Sequence, residues 1–269
     1  MPEEPAENIS GGEAGGGTAA MFEEGDAETR AEAVVDELGR LYWRKAYGGQ
    51  DAFECLVRTI LSQNTSDKAS QPAHDELMTR YGPAKDLAET LAAADREAIA
   101  DAISAAGLYN QKSKMIRGAA REVVSEFGGS EGFDAYVREE DPAAVRDRLL
   151  EIHGVGPKTA DCVLLFAGGR GGVFPVDTHV HRISRRLGVA SPDADHEEVR
   201  RSLERDVPAA KCGFGHTAMI QFGREYCTAR TPACLDGLDA CPVSALCDRV
   251  GVDPESGEVV DPVEATSGP

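Results

Sequence analysis

The sequence predicts an all-α fold. Along most of its 269 residues, apolar positions recur at spacings of three and four, which is the period of a helix with one buried face. Glycines and prolines separate these stretches, and the alternation of apolar and polar residues that is typical of strands is nearly absent. A hydrophobic content of 41% is sufficient for a packed core. We therefore expect an array of helices joined by short loops.

The predicted helices follow one another with few gaps between residues 31 and 226. Each is a stretch with helical spacing of its apolar residues, and Pro142 stands just before one of them, where a first turn tolerates proline. In chain order the predicted helices are 31–47, 52–61, 68–81, 83–92, 96–105, 111–127, 143–151, 158–166, 178–187, 196–207 and 214–226.

The two ends of the chain differ from the middle. Residues 1–29 are rich in Gly, Glu and Ala and contain eight acidic side chains but no Lys or Arg. Such a composition cannot bury enough apolar surface to fold, so we expect a disordered acidic tail. Residues 251–269 predict a second disordered tail.

The charge of the chain is strongly negative and unevenly distributed. The formal net charge is −19, yet residues 30–247 carry 33 acidic and 27 basic side chains. Taken alone, such a charge favours a protein that does not bind nucleic acid. Two clusters of basic residues nevertheless stand in the middle of the chain. They are Lys112, Lys114, Arg117 and Arg121 in one stretch and Arg182, Arg185 and Arg186 in another.

The composition also indicates a soluble protein of the cytoplasm. The longest uninterrupted apolar run, residues 162–167, is far shorter than a membrane span. The N-terminal residues show neither the basic stretch nor the apolar run of a secretory signal. Seven Lys accompany 21 Arg, and this acidic, Lys-poor balance resembles that of proteins from salt-loving organisms. We expect no membrane association.

A five-residue link joins two predicted helices in the middle of the chain. It reads His-Gly-Val-Gly-Pro over residues 153–157 and precedes the predicted helix 158–166. Glycines allow a positive φ and let a ligand approach the backbone closely, and the N–H groups at the start of a helix bind anions. The link is typical of a helix–hairpin–helix that clamps the DNA backbone, although a plain tight turn could have the same residues.

Lys158 and Asp177 suggest chemistry at a sugar carbon. Lys158 lies in the first turn of its predicted helix, where the helix dipole, nearby amides and partial burial favour the neutral amine. A neutral amine can attack an anomeric carbon and form an imine. Asp177 stands near the N-cap of the next predicted helix, where a carboxylate is stable and can stabilise an oxocarbenium-like transition state. Taken separately, the two residues could also be a surface lysine and an ordinary helix cap.

Residues 152–167, followed by residues 175–186, resemble the helix–hairpin–helix DNA glycosylases, and among them the endonuclease III family. The resemblance extends over about residues 32–248, and the composition makes the chain look like an archaeal, halophile-like variant. In that family the lysine after Gly-Val-Gly-x is the nucleophile and the aspartate of Val-Asp-Thr-His is the essential carboxylate. The resemblance transfers these roles to Lys158 and Asp177. It also implies DNA contacts for Gly154, Gly156, Thr159 and His179.

The same resemblance implies two helical domains with a DNA cleft between them. Residues 51–170 would form a six-helix barrel that contains the hairpin at about residues 148–167. Residues 30–50 and 171–250 would form a helical domain that carries an iron–sulfur cluster. The expected partner is double-stranded DNA containing damaged bases or abasic sites, and the expected state is a monomer that associates with the nucleoid when it acts.

Two loops resemble the family's segments that enter the duplex. Residues 61–67 are similar to the loop beside the flipped nucleotide, and residues 107–112 are similar to the loop that wedges into the stack from the other side. Because a damaged base is unreachable inside the stack, the nucleotide is flipped out and side chains fill the space. The candidates are Gln63, Asn64 and Leu108, and the choice between Gln63 and Asn64 stays open.

Four of the seven cysteines cluster near the C-terminus. Cys55 and Cys162 fall on apolar helix faces and are expected in the core, whereas the sequence assigns no role to Cys212. The clustered cysteines, separated by six, six and five residues, suit a [4Fe–4S] cluster or a structural zinc, with free thiols as a third alternative. The family holds a [4Fe–4S] cluster on a similar loop whose middle gap is two residues, so the resemblance implies that cluster. Its ligands would be Cys227, Cys234, Cys241 and Cys247.

The resemblance therefore implies a bifunctional DNA glycosylase and abasic-site lyase that acts on oxidised pyrimidines. Lys158 would displace the base and form an imine with the deoxyribose, after which β-elimination would cut the strand on the 3′ side. One alternative is a monofunctional mismatch or alkyladenine glycosylase of the same superfamily. Another is a non-catalytic DNA-binding scaffold, in which removal of Lys158 would change no strand cleavage.

Overall fold

The computed structural model describes residues 18–19, 27–42 and 44–266. In this part of the chain nearly all regular structure is helical, which confirms the predicted all-α class. The helices are α1 (Arg30–Leu41), α2 (Ala52–Ser62), α3 (Asp67–Tyr81), α4 (Leu87–Ala93), α5 (Arg96–Ala102), α6 (Tyr109–Phe127), α7 (Ser130–Glu139), α8 (Pro142–Glu151), α9 (Pro157–Phe166), α10 (Thr178–Leu187), α11 (His196–Asp206), α12 (Ala209–Glu225) and α13 (Pro262–Thr266).

Short 3₁₀ turns and four two-residue strands complete the described structure. The 3₁₀ turns are Ala84–Asp86, Ser104–Ala106, Ala233–Leu235, Leu238–Ala240 and Ser244–Leu246. Strands β1 (Thr18–Ala19) and β2 (Lys45–Ala46) form one antiparallel pair, and β3 (Val252–Asp253) and β4 (Glu258–Val259) form another.

The chain divides into two compact units. The central unit is Tyr47–Arg170, and the terminal unit combines Met1–Ala46 with Gly171–Pro269. In the central unit, α2 contacts α3, α6, α7 and α9, because most of its side chains are apolar and buried. Asp51 caps its first turn by accepting a hydrogen bond from the amide of Glu54.

The core of the terminal unit lies between α1, α10, α11 and α12. Val34 and Leu38 of α1, Ile183 of α10 and Phe214 and Phe222 of α12 are fully or almost fully buried in it. Helix α12 is buried nearly all round, so it carries no polar face and begins five residues before the predicted start at residue 214.

Three segments differ from the sequence-based expectations. Helix α1 ends at Leu41 rather than at residue 47, because Tyr42 turns into the core and donates its hydroxyl to Glu225 at 2.6 Å. Residues 45–46 are instead extended and pair with residues 18–19, which belong to the predicted disordered tail. Helix α7 falls outside the predicted helices, although Phe133 and Val137 bury one face of it.

The predicted disorder of residues 251–269 also differs from the structure. Residues 252–259 form the β3–β4 hairpin, with Gly257 in the left-handed region, and α13 follows. Asp261 forms an ion pair with the buried guanidinium of Arg185, which anchors this segment to α10. The rest of the two predicted tails, residues 1–17, 20–26 and 267–269, lies outside the described residues.

Among the described residues, every helix is too short or too polar to traverse a lipid bilayer.

Candidate functional site

The link between α8 and α9 has the geometry of a hairpin that can bind an anion. Gly154 has a φ of +90°, and a Cβ there would lie 2.3 Å from Cε of Met115. Gly156 is the N-cap of α9, its φ of −99° is ordinary, and a Cβ there would meet nothing within 4 Å. Gly154 is therefore required by conformation, whereas Gly156 leaves open space at the start of α9, where amides attract a phosphate.

An ion pair holds the two helices of the hairpin together. Nε of Arg146 in α8 lies 2.6 Å from Oδ1 of Asp161 in α9. The side chains are only 15% and 2% exposed, so the pair is a structural clamp.

Lys158 is the second residue of α9 and is half-buried. Its charge acts on the buried Cys55 thiol, whose pKa is raised by burial and partly lowered by Lys158. Cys55 donates to the carbonyl of Cys162 at 3.8 Å, so both thiols belong to the contact between α2 and α9, as predicted for core cysteines. Lys158 thus combines a place in the first turn of a helix with partial burial.

The structure gives Gln63 and Asn64 different environments. The Gln63 amide donates to the carbonyl of Gly154 and to Oγ1 of Thr159, both at 3.2 Å. Asn64 is exposed and has a left-handed φ of 50°. Gln63 therefore fastens the loop to the hairpin, whereas Asn64 is the side chain that points to solvent. The Thr159 side chain is buried and receives Gln63, an environment different from the DNA contact that the resemblance implies.

Leu108 is the second exposed residue with a left-handed backbone. It precedes α6 with a φ of 48°, and it is 56% exposed although it is a large apolar side chain. A branched residue in this conformation costs about 1–3 kcal/mol, and such conformations cluster at functional sites. Leucine side chains are usually buried in the core, and the exposed Leu108 is not.

Lys112 belongs to the basic cluster of the sequence analysis, but it is not on the surface. It is 2% exposed, and Nζ donates to the carbonyl oxygens of Leu61 and Ala106 and to Oγ1 of Thr65. Burial lowers the pKa of Lys112. Charge composition says nothing about burial, and therefore the sequence pattern alone misplaces this lysine.

Asp177 is the N-cap of α10 in the terminal unit. Its Oδ1 accepts hydrogen bonds from the amides of His179 at 2.8 Å and Val180 at 2.9 Å, and the residue is half-buried. These two contacts fix the carboxylate and satisfy two amides of the first turn. Both contacts use one oxygen, and Oδ2 takes part in neither.

His179 is packed beside Asp177 and is half-buried. Its Nδ1 lies 3.2 Å from a terminal nitrogen of Arg182, and a Cβ on Gly223 would lie 2.6 Å from the same ring nitrogen. Burial lowers the pKa of His179, and the charge of Asp177 opposes that change. Arg182 also donates to the carbonyl of Cys227 at 2.8 Å, so α10 is joined directly to the cysteine loop.

The four clustered cysteines line a single pocket of the terminal unit, which we call the cysteine pocket. Arg186 donates to Sγ of Cys227 at 3.6 Å, and the amide of Arg249 donates to Sγ of Cys247 at 3.3 Å. Burial raises the pKa of Cys247 to about 11 and also raises the pKa of Cys234 and Cys241. The pocket is otherwise lined mainly by apolar side chains, including Val252 of β3.

The donor set of the cysteine pocket fits an iron–sulfur cluster. Among the described residues, no three His, Cys, Asp or Glu side chains are grouped closely enough to hold one metal ion. Four thiols around one pocket nevertheless supply the ligands that a [4Fe–4S] cluster would take, and N–H groups directed at sulfur would stabilise the thiolates. The remaining thiol, Cys212, is buried in the core, where burial raises its pKa to about 12.

The candidate residues are thus distributed over both units. The central unit contains Lys158 and brings Gln63 together with Gly154 and Thr159. The terminal unit contains Asp177, His179 and the cysteine pocket.

The comparisons with known proteins agree with this geometry. A model of the HhH-GPD superfamily of base excision DNA repair proteins matches residues 57–209. The chain is 34% identical over 204 residues to endonuclease III of Thermotoga maritima, with 75% of this chain and 88% of the relative covered. It is 32% identical over 195 residues to endonuclease III of Bacillus subtilis, with 72% and 80% covered.

A solved structure has the same fold. A trapped covalent intermediate of endonuclease III with DNA matches at a TM-score of 0.66 and 27% identity, covering 82% of this chain and 96% of that chain. The fold, the hairpin and the family match define a DNA repair enzyme of the base-excision class. Within that superfamily, the chain belongs to the endonuclease III family.

Proposed function

We propose that this DNA glycosylase is also an abasic-site lyase and that the amine of Lys158 is its nucleophile. The observation that carries the proposal is the position of Lys158 in the first turn of α9, directly after the hairpin link and near enough to the buried Cys55 for its charge to act on that thiol. Only the neutral amine has the electron pair for attack, and the positive end of the helix dipole at this position favours loss of the proton.

The chemistry requires one covalent intermediate. Nζ bonds to C1′ of the damaged nucleotide while the C1′–N bond to the base breaks, and the base leaves with that electron pair and takes up a proton. The nitrogen lone pair then forms a C=N bond to C1′ as the C1′–O4′ bond breaks, O4′ takes up a proton from water, and the opened sugar is held as a protonated imine. Removal of a proton from C2′ then breaks the C3′–O bond, which cuts the strand on the 3′ side, and water releases the lysine.

Asp177 supplies the fixed negative charge in this proposal. Positive charge develops at C1′ as the base departs, and a carboxylate held by two amides stabilises it without having to reorganise. His179 and Arg182 pack behind Asp177 and support its helix, and a backbone phosphate is a second partner for His179.

The proposed DNA contacts come from the hairpin and from the two loops. Gly154 and Gly156 bring the backbone of the hairpin to a phosphate, and the amide of Thr159 lies in the same first turn. Asn64 and Leu108 would enter the duplex, with Asn64 rather than Gln63 in the vacated space because the Gln63 amide is engaged with the hairpin. The substrate class is double-stranded DNA with oxidised pyrimidines or abasic sites, bound by a monomer in the cytoplasm.

The proposed cofactor is a [4Fe–4S] cluster held by Cys227, Cys234, Cys241 and Cys247. When bound, such a cluster supplies a rigid cross-link for the loop that follows α12. Arg182 and Arg186 fasten that loop to α10 through backbone carbonyls of residues 227–229. This loop would thereby support the helix that begins at Asp177.

Borohydride trapping tests the lyase proposal. Duplex DNA with one abasic site is incubated with wild type, with Lys158→Ala and with the matched surface variant Lys85→Ala, in EDTA and near-molar KCl. Wild type and Lys85→Ala should give a covalent adduct, and Lys158→Ala should give none while still binding the duplex.

The remaining outcomes each exclude the lyase proposal in a different way. Folded wild-type protein that removes a base but forms no adduct would be a monofunctional glycosylase. Wild-type protein that binds the duplex and changes neither base nor strand would be a scaffold.

A further inference from the structure

Lys112 joins two loops that are far apart in sequence. Nζ lies 2.7 Å from the carbonyl oxygen of Leu61, 3.1 Å from that of Ala106 and 2.5 Å from Oγ1 of Thr65. An ammonium group has three N–H donors, and these three contacts use all of them. One side chain therefore fixes the loop of residues 62–66, here the Asn64 loop, to the loop of residues 104–108, here the Leu108 loop.

Thr65 makes a second link at the same place. Its Oγ1 donates to the carbonyl oxygen of Ala106 at 2.6 Å, and Oγ1 also accepts a hydrogen bond from Nζ of Lys112. Lys112, Thr65 and Ala106 thus form a closed triangle of hydrogen bonds in which each side chain contacts both loops or their ends. A hydroxyl can donate once and accept twice, so Thr65 suits this position.

The burial of the Lys112 ammonium is not explained by packing alone. Moving an ammonium from water into a protein interior is unfavourable, and the three contacts that Lys112 makes there are all to neutral oxygens. The carbonyl oxygens of Leu61 and Ala106 stand at the C-terminal ends of α2 and of the 3₁₀ turn Ser104–Ala106, where partial negative charge favours a cation. A methionine would fill the same space without desolvating a charge.

The two loops that Lys112 joins carry the two exposed, left-handed residues of the central unit that are proposed to enter DNA. Asn64 and Leu108 have φ values of 50° and 48°, and each conformation needs support from its surroundings. Gln63 extends the connection from the Asn64 loop to Gly154 and Thr159. A continuous set of hydrogen bonds therefore runs from the Leu108 loop to the turn that precedes Lys158.

We infer that Lys112 is a positioning residue that ties the Asn64 loop and the Leu108 loop into one unit, so that Asn64 and Leu108 enter the duplex together. The inference rests on the proposed function, because it takes both loops to be DNA-entering. A single strand that contains an abasic site has no stack to open, so Lys112 is needed on a duplex and not on a single strand. Preorganised loops also lose less conformational entropy on binding than independent ones.

The test compares borohydride trapping by Lys112→Met, Thr65→Val and wild type. Each protein is given the same abasic-site strand either as a single strand or paired in a duplex. The duplex carries 2-aminopurine opposite the abasic site, so its fluorescence rises when the stack is opened. Thr65→Ser is the conservative partner of Thr65→Val, and Lys85→Met is the surface control. We expect both test variants to trap the duplex at least tenfold more slowly, with a smaller fluorescence rise, while single-strand trapping stays within twofold of wild type. Thr65→Ser and Lys85→Met should behave as wild type.

Two results would overturn the inference. Wild-type duplex trapping and fluorescence in Lys112→Met and Thr65→Val would show that the tie is dispensable. An equal loss on single strand and duplex would show a general structural role. If wild type forms no adduct with either DNA, the lyase proposal fails, and the 2-aminopurine signal still decides whether Lys112 governs entry into the duplex. Absence of that signal in wild type would overturn the inference as well.

Discussion

Arg146 and Asp161 form a nearly buried ion pair across the hairpin, with Nε 2.6 Å from Oδ1. The pair connects the helix before the hairpin link to the helix that carries Lys158. Because its charges are shielded from water, each partner depends on the other far more than in a surface pair.

Asp161→Asn should therefore destabilise the protein strongly. The substitution removes the negative charge that Arg146 faces across the hairpin, and breaking a buried ion pair in this way costs about 3–5 kcal/mol. Urea unfolding followed by circular dichroism measures the change. Asp101→Asn, which breaks the exposed pair with Arg80, is the matched control and should leave the unfolding curve nearly unchanged, because water screens that pair. Equal effects of the two substitutions would show that the hairpin pair is not a clamp.

The two hairpin glycines should respond differently to alanine. Gly154→Ala forces a side chain into a φ of +90° and against Met115, so the free energy of unfolding should fall by about 1–2 kcal/mol. Gly156→Ala meets neither obstacle and should change stability by less than about 0.5 kcal/mol. Its methyl group nevertheless occupies the open space before α9, so duplex binding should weaken several-fold. Unfolding curves and fluorescence anisotropy with labelled duplex separate the two effects, and unchanged binding by Gly156→Ala would exclude a phosphate at that point.

The stability of the protein should fall in mild acid because of two histidines in α10. Burial lowers the pKa of His179 and of His181, whose Nε2 lies 2.9 Å from the carbonyl oxygen of Ala194. The folded pKa of each lies below the unfolded value of about 6.5, so the unfolded state binds more protons between the two values. The stability linked to the neutral rings is complete above about pH 6.5 and is lost as the pH falls through the folded pKa.

The predicted loss of stability in acid can be measured as the slope of the free energy of unfolding against pH between about pH 5 and 7.5. Wild type should lose up to about 1.4 kcal/mol per pH unit for each histidine, and His179→Gln with His181→Gln should reduce the slope. The exposed His153→Gln is the control. A slope that the double substitution leaves unchanged would assign the acid sensitivity to carboxylates.

The four cysteines of the pocket should differ from the three core cysteines in iron binding. Reconstituted wild type should contain about four irons per chain with broad visible absorbance. Cys241→Ser should lose iron and absorbance, whereas Cys212→Ser should retain both because the Cys212 thiol contacts carbonyl oxygens of residues 207 and 208 in the core. If the protein instead contained one zinc per chain and showed no visible absorbance, the pocket would hold a structural zinc and not a cluster.

Local signals predicted the helices around the candidate site well. Asp51 and Asp177 are both N-caps in the structure, and α2 and α10 agree with the predicted ranges to within one residue. Helix α7 was harder to predict, because its N-cap, Gly129, has no side chain to cap the first turn, and only a few apolar residues mark its buried face. Its stability comes from contacts with α2 and α6, which no local pattern contains.

The features that sequence patterns missed depend on distant partners. From the sequence, Lys112 is expected to be a surface cation, but in the structure it donates to the carbonyl oxygens of Leu61 and Ala106. From the sequence, the segment after residue 250 is expected to be disordered, but in the structure its Asp261 pairs with Arg185, 76 residues earlier in the chain. Gln63 and Asn64 are adjacent and chemically alike, and only the position of Gly154 separates their roles.

The discontinuous terminal unit has a consequence for synthesis on the ribosome. The central unit, Tyr47–Arg170, is contiguous and can fold as soon as it has emerged, so the surroundings of Lys158 are complete early. Helix α1 must wait for α12, because Val34 and Leu38 share their core with Phe214 and Phe222. The last cysteine emerges later still. Newly made chains therefore pass through an interval in which the unit that contains Lys158 is folded and the unit that contains Asp177 is not, and the four thiols of the cysteine pocket come together only after Cys247 has emerged.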